Sequence, residues 1–205
     1  MPPGDVPDIV VGRLPIYLRA LTHMAAAGQE ITSSHELGQK LGISSAQIRK
    51  DLSHFGEFGK QGTGYRISHL MDQIKRILKV EREWEVALIG VGDLGHAVAR
   101  YGGFKNRGFH ISFLFDNDPA KIGSPIGELA ILDSAQLQDV LVERAIKVAM
   151  IAVPASEAQK VADVCIEAGV KAILNYAPIS LTVPDGVHVQ HLDPVAYLQR
   201  MTYYL

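Results

Sequence analysis

Three glycines, Gly90-x-Gly92-x-x-Gly95, and an acid 21 residues further on, Asp116, are the residues of this chain best spaced to do chemistry. That chemistry is the holding of a dinucleotide. Gly90 permits a tight turn, Gly92 lets the backbone approach a pyrophosphate, and Gly95 lets a helix pack close to its strand with its first N–H groups facing the anion. A carboxylate at the tip of the second strand suits a ribose 2′-hydroxyl and repels a 2′-phosphate. The flanks have the order this needs. The apolar run Val86-Ala87-Leu88-Ile89 precedes the glycines, a helix-compatible segment from Leu94 to Tyr101 follows, and a second apolar run, Ile111 to Phe115, ends in Asp116.

A second constellation lies earlier. Ser33 or Ser34 is placed to cap a short helix carrying Leu37 and Leu41, Gly42 breaks it, and Ser44 caps another helix whose inward face is Ile48 and Leu52. With small Gly38 before the turn and Ile43 after it, this is the pattern of a helix-turn-helix. Ser45, Gln47, Arg49 and Lys50 are then left free at the front of the second helix, where such side chains seek phosphates and base edges. The glycine-rich stretch from Phe55 to Arg66 reads as a β-hairpin wing with Lys60 near its tip. Between residues 40 and 79 there are eight basic and three acidic residues, a local +5 in a chain of net charge −2. That asymmetry points to a segment that meets an anion.

The elements that position these residues follow from the periodicity. Residues 1–12, rich in proline and glycine, read as extended or disordered, and a helix starts near Leu14 with Pro15 in its first turn and Gly28 as its stop. Ser68 caps a further helix with Met71, Ile74 and Leu78 inward. Strands are expected at 85–90, 110–116, 147–153, 172–175 and 187–191, and helices near 93–102, 134–144, 156–168 and 194–205. Such alternation makes a parallel sheet covered on both faces. The expected fold is therefore α/β: an N-terminal winged helix-turn-helix domain (1–80), a linker (81–84), a Rossmann-type doubly wound parallel sheet (85–192), and a C-terminal helix (193–205). Val195, Leu198, Met201, Leu205 and three tyrosines nearly encircle that helix. It either fills its own domain's groove or inserts into a partner chain.

Composition bounds the rest. Apolar residues make up 47% of 205, enough for a real core. The single cysteine, Cys165, lies in an apolar helical stretch and reads as a small core residue. No membrane span or signal peptide is expected, which makes the cytoplasm the default location. A dehydrogenase would need a substrate pocket and a proton-transfer group. His96, His110, His188 and His191 are the candidates, and each reads as structural; His188-x-x-His191 is a poor metal pair because residues three apart on a strand face opposite sides. No catalytic residue and no metal site is assigned. Tyr101 closes the helix after the glycine loop and is placed to reach a bound dinucleotide.

The chain resembles the Rex family of redox-sensing transcriptional repressors from about Arg13 to Leu205. The resemblance is carried by Arg13-Leu14-Pro15-Ile16-Tyr17-Leu18-Arg19, Gln47-Ile48-Arg49-Lys50-Asp51-Leu52-Ser53-His54-Phe55-Gly56, Gly62-x-Gly64-Tyr65, the three-glycine loop, Phe115-Asp116-Asn117-Asp118-Pro119 with Lys121-Ile122-Gly123, and Asn175-Tyr176-Ala177-Pro178. It implies a homodimer with the last helix swapped into the partner, an inverted-repeat operator, release from DNA by NADH, and competition by NAD⁺. It places DNA contacts at Ser45, Gln47, Arg49, Lys50, Ser53 and Lys60. It places the cofactor at Gly90, Val91, Gly92, Asp93, Leu94, Gly95, Tyr101, Asp116, Asn117, Lys121, Val153, Pro154, Ala177 and Pro178, and an interdomain switch at Arg13, Tyr101 and Asp193. A dry pocket of Val153, Pro154, Ala177 and Pro178 favours the neutral reduced ring over the cationic oxidised one. Two rivals stand beside this: a small NAD-dependent oxidoreductase with an appended DNA-binding module, and a repressor that senses another nucleotide such as a CoA derivative.

Overall fold

The structure, a computed structural model, describes residues 6–56, 58 and 64–205. These fall into two compact units that divide between Arg82 and Glu83.

In the N-terminal unit, α1 (Asp8–Ala26) is followed by β1 (Ile31–Thr32), α2 (Ser34–Leu41), α3 (Ser45–Ser53), β2 (Tyr65–Arg66) and α4 (Ile67–Leu78). The helix expected from Leu14 begins at Asp8, more than a turn and a half earlier. Two features extend it. Asp8 puts a negative charge in the first turn, and Val10 opens the buried stripe that continues through Leu14, Tyr17, Leu21 and Met24. Pro15 therefore lies inside the helix instead of in its first turn, on the solvent side. Gly28 ends α1 with φ +81°.

Ser33 caps α2 through a hydrogen bond to its oxygen from the Glu36 N–H (3.1 Å), and Ser44 caps α3 through the Gln47 N–H (3.2 Å). Gly42 closes α2 with φ +67°. A methyl group at Gly38 would strike the Ile43 carbonyl, so only glycine allows this tight crossing of the two helices. β2 pairs antiparallel with β1, Thr32 opposite Tyr65, so the described end of the wing is anchored to the segment before α2. The tip, with Lys60 and Gly62, lies outside the described residues. Ser68 is not the cap of α4: the helix starts one residue earlier, and the Ile67 N–H donates to the Glu30 carbonyl beside the β1–β2 pair.

In the C-terminal unit, β3 (Trp84–Ile89), α5 (Asp93–Ala99), β4 (Phe109–Asp116), β5 (Pro125–Ile126), β6 (Leu129–Asp133), α6 (Leu137–Glu143), β7 (Val148–Ile151), α7 (Ala155–Glu167), β8 (Ala172–Asn175), β9 (His188–His191) and α8 (Pro194–Thr202) build one seven-stranded sheet. Its order is β5-β6-β4-β3-β7-β8-β9. Every neighbouring pair is parallel except β5–β6. This is the Rossmann-type doubly wound sheet, and its order reverses between β3 and β7. Alternate residues of β3 serve the two faces. Val86 and Leu88 join the cluster with Ile111, Leu114 and Met150, whereas Ala87 and Ile89 join the one with Phe115, Ile151 and the α7 residues Ala158, Ala162 and Cys165. Burial pushes the Cys165 thiol up to about 12, as suits a residue that only packs. β5 and β6 were not expected; both are short, and the connection from β4 to β6 carries no helix to announce a crossover. No described helix is long and apolar enough to cross a membrane.

Beside the hydrophobic core of the N-terminal unit, one buried ion pair ties α3 to α1. Asp51 of α3 is fully buried, and Arg13 of α1 grips it through two nitrogens, with Nη2 to Oδ1 at 2.7 Å. Tyr17 and Gln47 also donate to it. Burial alone would raise the Asp51 carboxyl; the bonds from Arg13, Tyr17 and Gln47 outweigh burial and hold it below the ordinary carboxylate range. Because the folded value is lowered, the stabilisation is fully present above about pH 4 and is lost as pH falls through the folded value. Arg13→Ala leaves the buried charge without its cation and should cost about 3–5 kcal/mol. Urea unfolding of the N-terminal unit at pH 7 checks this, and a loss below about 1 kcal/mol would show that the pair does not hold α3 to α1.

Candidate functional site

The glycine loop runs from the end of β3 into α5 and sits at the crevice where the strand order reverses. Gly90 has φ +92°, and a side chain there would strike the Ala152 carbonyl and Val153. A methyl at Gly95 would run into the Gly90 carbonyl, so α5 rests directly on the loop. Gly92 differs: a methyl there would meet nothing within 4 Å. The backbone is thus exposed at the point where a pyrophosphate has to approach, next to the first N–H groups of α5.

Asp116 is the last residue of β4, the strand tip where the sequence puts it. It is 6% exposed. Its Oδ2 accepts from the Val91 N–H (2.7 Å) and from Lys121 Nζ (3.2 Å), and its Oδ1 accepts from the Asp118 N–H (2.9 Å). Burial raises this carboxyl, and the two backbone N–H groups and Lys121 bring it below its ordinary value. The acid therefore clamps the glycine loop to the end of β4 before it does anything else. Asn117 beside it is exposed.

The expected apolar pocket is only partly assembled from its four residues. Ala177 is buried and Val153 half-buried, while Pro154 and Pro178 face solvent. What shapes this edge is Asn175, to which the sequence alone assigns no role. It is wholly buried at the end of β8. Its Nδ2 donates to the Ala177 and Ile179 carbonyls (3.1 and 2.9 Å), its Oδ1 accepts from the Ala177 N–H (3.0 Å), and its Nδ2 also meets His191 Nδ1 (3.2 Å). The signal was present in the sequence: an asparagine ending an apolar strand must find partners for a buried amide.

The three residues expected to form a switch each have a local partner. Arg13 is held by Asp51. Tyr101 lies beyond α5, which ends at Ala99, and meets Phe104 edge-to-face at 5.1 Å with about half its surface exposed. Asp193 caps α8 by accepting from the Val195 and Ala196 N–H groups. That helix has no buried residue at all. Val195, Tyr197, Leu198, Met201, Tyr203, Tyr204 and Leu205 are all more than half exposed, so α8 does not fill a groove of its own unit.

On α3, Arg49 and Lys50 are exposed, with Arg49 Nη1 donating to Ser34 Oγ at 3.1 Å. Ser45 is half-buried, and the Ser53 hydroxyl is turned back to the Lys50 carbonyl. Gln47 is not free: its Nε2 donates to Asp51 Oδ1 at 2.7 Å.

Comparison with known proteins agrees with both constellations. Residues 5–53 match a family model described as a DNA-binding protein N-terminus, and residues 81–179 match one described as a CoA binding domain. The redox-sensing transcriptional repressor Rex of Chloroflexus aurantiacus is 55% identical over 97% of this chain and 94% of its own length. The protein of the same description from Streptomyces avermitilis is 41% identical over 97% of this chain and 79% of its own. A crystal structure of RSP with beta-NAD⁺ and operator DNA matches with a TM-score of 0.92 at 35% identity, covering 97% of this chain and 92% of that one. A structure of RSP with beta-NADH matches with a TM-score of 0.89 at 32% identity, covering 98% and 94%.

Asp116→Asn removes the charge that would repel a 2′-phosphate, and its amide can accept from the Val91 N–H or the Asp118 N–H but not from both. The ratio of NADPH to NADH affinity should rise about tenfold, read by nicotinamide fluorescence titration. An unchanged ratio would remove Asp116 from the ribose site and leave it as a loop clamp alone.

Proposed function

The chain belongs to the Rex family of redox-sensing transcriptional repressors, and from that premise we propose a repressor that holds an inverted-repeat operator and lets it go when NADH binds. What carries the reading is the presence in one chain of both halves: a helix-turn-helix with Arg49 and Lys50 exposed on its second helix, and a glycine loop left open at Gly92. The relatives are named as repressors, and the two solved neighbours hold NAD⁺ with operator DNA and NADH. The reading assigns no residue a catalytic role and expects the protein in the cytoplasm.

Gly90 to Gly95 would hold the pyrophosphate of NADH or NAD⁺, with Val91, Asp93 and Leu94 supplying backbone. Asp116, Asn117 and Lys121 would face the adenosine ribose. Val153, Pro154, Ala177 and Pro178 would line the nicotinamide, with Tyr101 near it. The group itself supplies a ring that is neutral when reduced and cationic when oxidised. An apolar lining disfavours an unpaired cation, so this edge discriminates between the two forms by desolvation. A ligand can shift the protein only by binding one arrangement better than the other.

Arg49, Lys50 and Ser45 would contact the major groove and its phosphates, and Ser53 and Lys60 the flanking backbone. An inverted repeat needs two such helices about 34 Å apart, and hence a dimer. The exposed apolar side chains of α8 support a homodimer in which this helix enters the partner, with Arg13, Tyr101 and Asp193 then meeting across the two chains. A second reading, a CoA-type nucleotide at the same loop, has the description of the matched family model behind it.

Arg49→Ala with Lys50→Ala is the test. Anisotropy of a labelled inverted-repeat duplex should show operator binding abolished, while NADH titration and sedimentation show the ligand affinity and a dimer retained. Surviving operator binding would displace the DNA site from α3, and a monomer would contradict the assembly.

A further inference from the structure

A cleft in the N-terminal unit has no part in the sites described above. It lies between the second half of α1 and the last turn of α2, and its volume is about 310 Å³. That is the lower end of the range for small-molecule sites. Arg19 and His23, one turn apart on α1, line it together with Lys40 of α2. Ala20, Met24 and Leu41 supply an apolar wall, of which Met24 is buried and the other two half-buried. No acid is among the lining residues. Glu36, which is bonded to one of them, has its two oxygens engaged by the Gln29 amide and by Thr32 Oγ1. Among the described residues the side chains of Arg19, His23 and Lys40 make no hydrogen bond and no ion pair. Helix ends explain only part of this gathering. His23 and Lys40 stand in the last turns of α1 and α2, where a cation complements the carbonyl end of a helix. Arg19 stands about two turns before the end of α1, outside the reach of that effect.

We propose that this cleft binds a small organic dianion with an apolar body, of the phosphate monoester or dicarboxylate class. The planar Arg19 guanidinium offers parallel N–H donors that match two oxygens of such a group. Lys40 adds a second positive charge, and the His23 ring has an N–H to donate in either charge state. A cleft lined by one sign of charge concentrates ions of the other sign. The apolar wall sets the rest of the ligand. Carbon placed against it is stabilised in proportion to the area taken from water, a gain that an inorganic ion cannot make. The site goes beyond the NADH and operator reading, because none of its lining residues lies on α3 or in the glycine loop.

The test is calorimetric titration of the full-length protein with phenyl phosphate, beside inorganic phosphate, which carries only the charge, and phenol, which carries only the ring. Phenyl phosphate should bind with a Kd of about 1 mM or tighter. Inorganic phosphate should bind about tenfold more weakly, and phenol more weakly still. Arg19→Ala and Lys40→Ala should each weaken phenyl phosphate about tenfold or more, with Arg19→Lys between wild type and Arg19→Ala. Lys160→Ala, which removes an exposed cation of α7, should change nothing. An affinity untouched by Arg19→Ala and Lys40→Ala would place the anion elsewhere, the glycine loop included, and overturn the proposal. Equal weakening by Lys160→Ala would leave diffuse attraction, an adventitious ion only. Inorganic phosphate binding as tightly as phenyl phosphate would remove the apolar body. Operator affinity of Arg19→Ala and Lys40→Ala, read by anisotropy at fixed salt, should stay within about threefold of wild type, and a larger fall would make the cleft a DNA-backbone contact instead.

Discussion

A carboxylate taken out of water is costly unless donors occupy its oxygens, and each unit of this protein places one such group at the element that matters. The cost of an uncompensated buried charge is several kcal/mol, which makes the donors obligatory. Asp51 draws Arg13 and Tyr17 from α1 and Gln47 from its own helix, so the helix that carries Arg49 and Lys50 has its position set by a charge. Asp116 draws the Val91 and Asp118 N–H groups and Lys121, so the glycine loop is held to the end of the neighbouring strand. Gly92 and Asp93 of the loop and Arg49 and Lys50 of the helix are exposed. Their geometry comes from what lies beneath.

Much of this was legible from local pattern. The glycine loop could be read because its three glycines have three different steric reasons, and the structure bears out two of them as clashes that a methyl would create. The helix-turn-helix could be read because Gly38, Gly42 and Ser44 each mark a backbone event within a few residues of one another. The illegible parts depend on distant partners. Asp51 sits between Ile48 and Leu52 on an inward face, and only the arrival of Arg13, 38 residues away, makes that position tolerable. The clamp that Asp116 makes is not legible because the Val91 N–H that donates to it belongs to a loop 25 residues earlier. Asn175 closes its own turn, but its role depends on burial, which the period-two pattern of β8 does not reveal. The early start of α1 is not legible because the three prolines and two glycines of residues 1–12 outweigh one valine, Val10.

The helix at the C-terminus shows a constraint of another kind. Its apolar side chains have no cover among the described residues, and a stretch of this composition in water is unfavourable in proportion to its exposed area. A homodimer that buries it also supplies the two-fold symmetry that an inverted repeat demands. On this account ligand and DNA act on one equilibrium. A ligand shifts such an equilibrium only by as much as it prefers one arrangement over the other.

The most direct measurement is the fluorescence anisotropy of a labelled inverted-repeat duplex bound to the full-length protein, at one fixed salt concentration because phosphate contacts are salt-dependent. NADH, NAD⁺, NADPH and CoA are added in turn to the preformed complex. The account predicts release by NADH and not by NAD⁺, NADPH or CoA, with NAD⁺ raising the NADH concentration needed. A complex that NADH leaves intact, or that CoA disperses as readily, would contradict it.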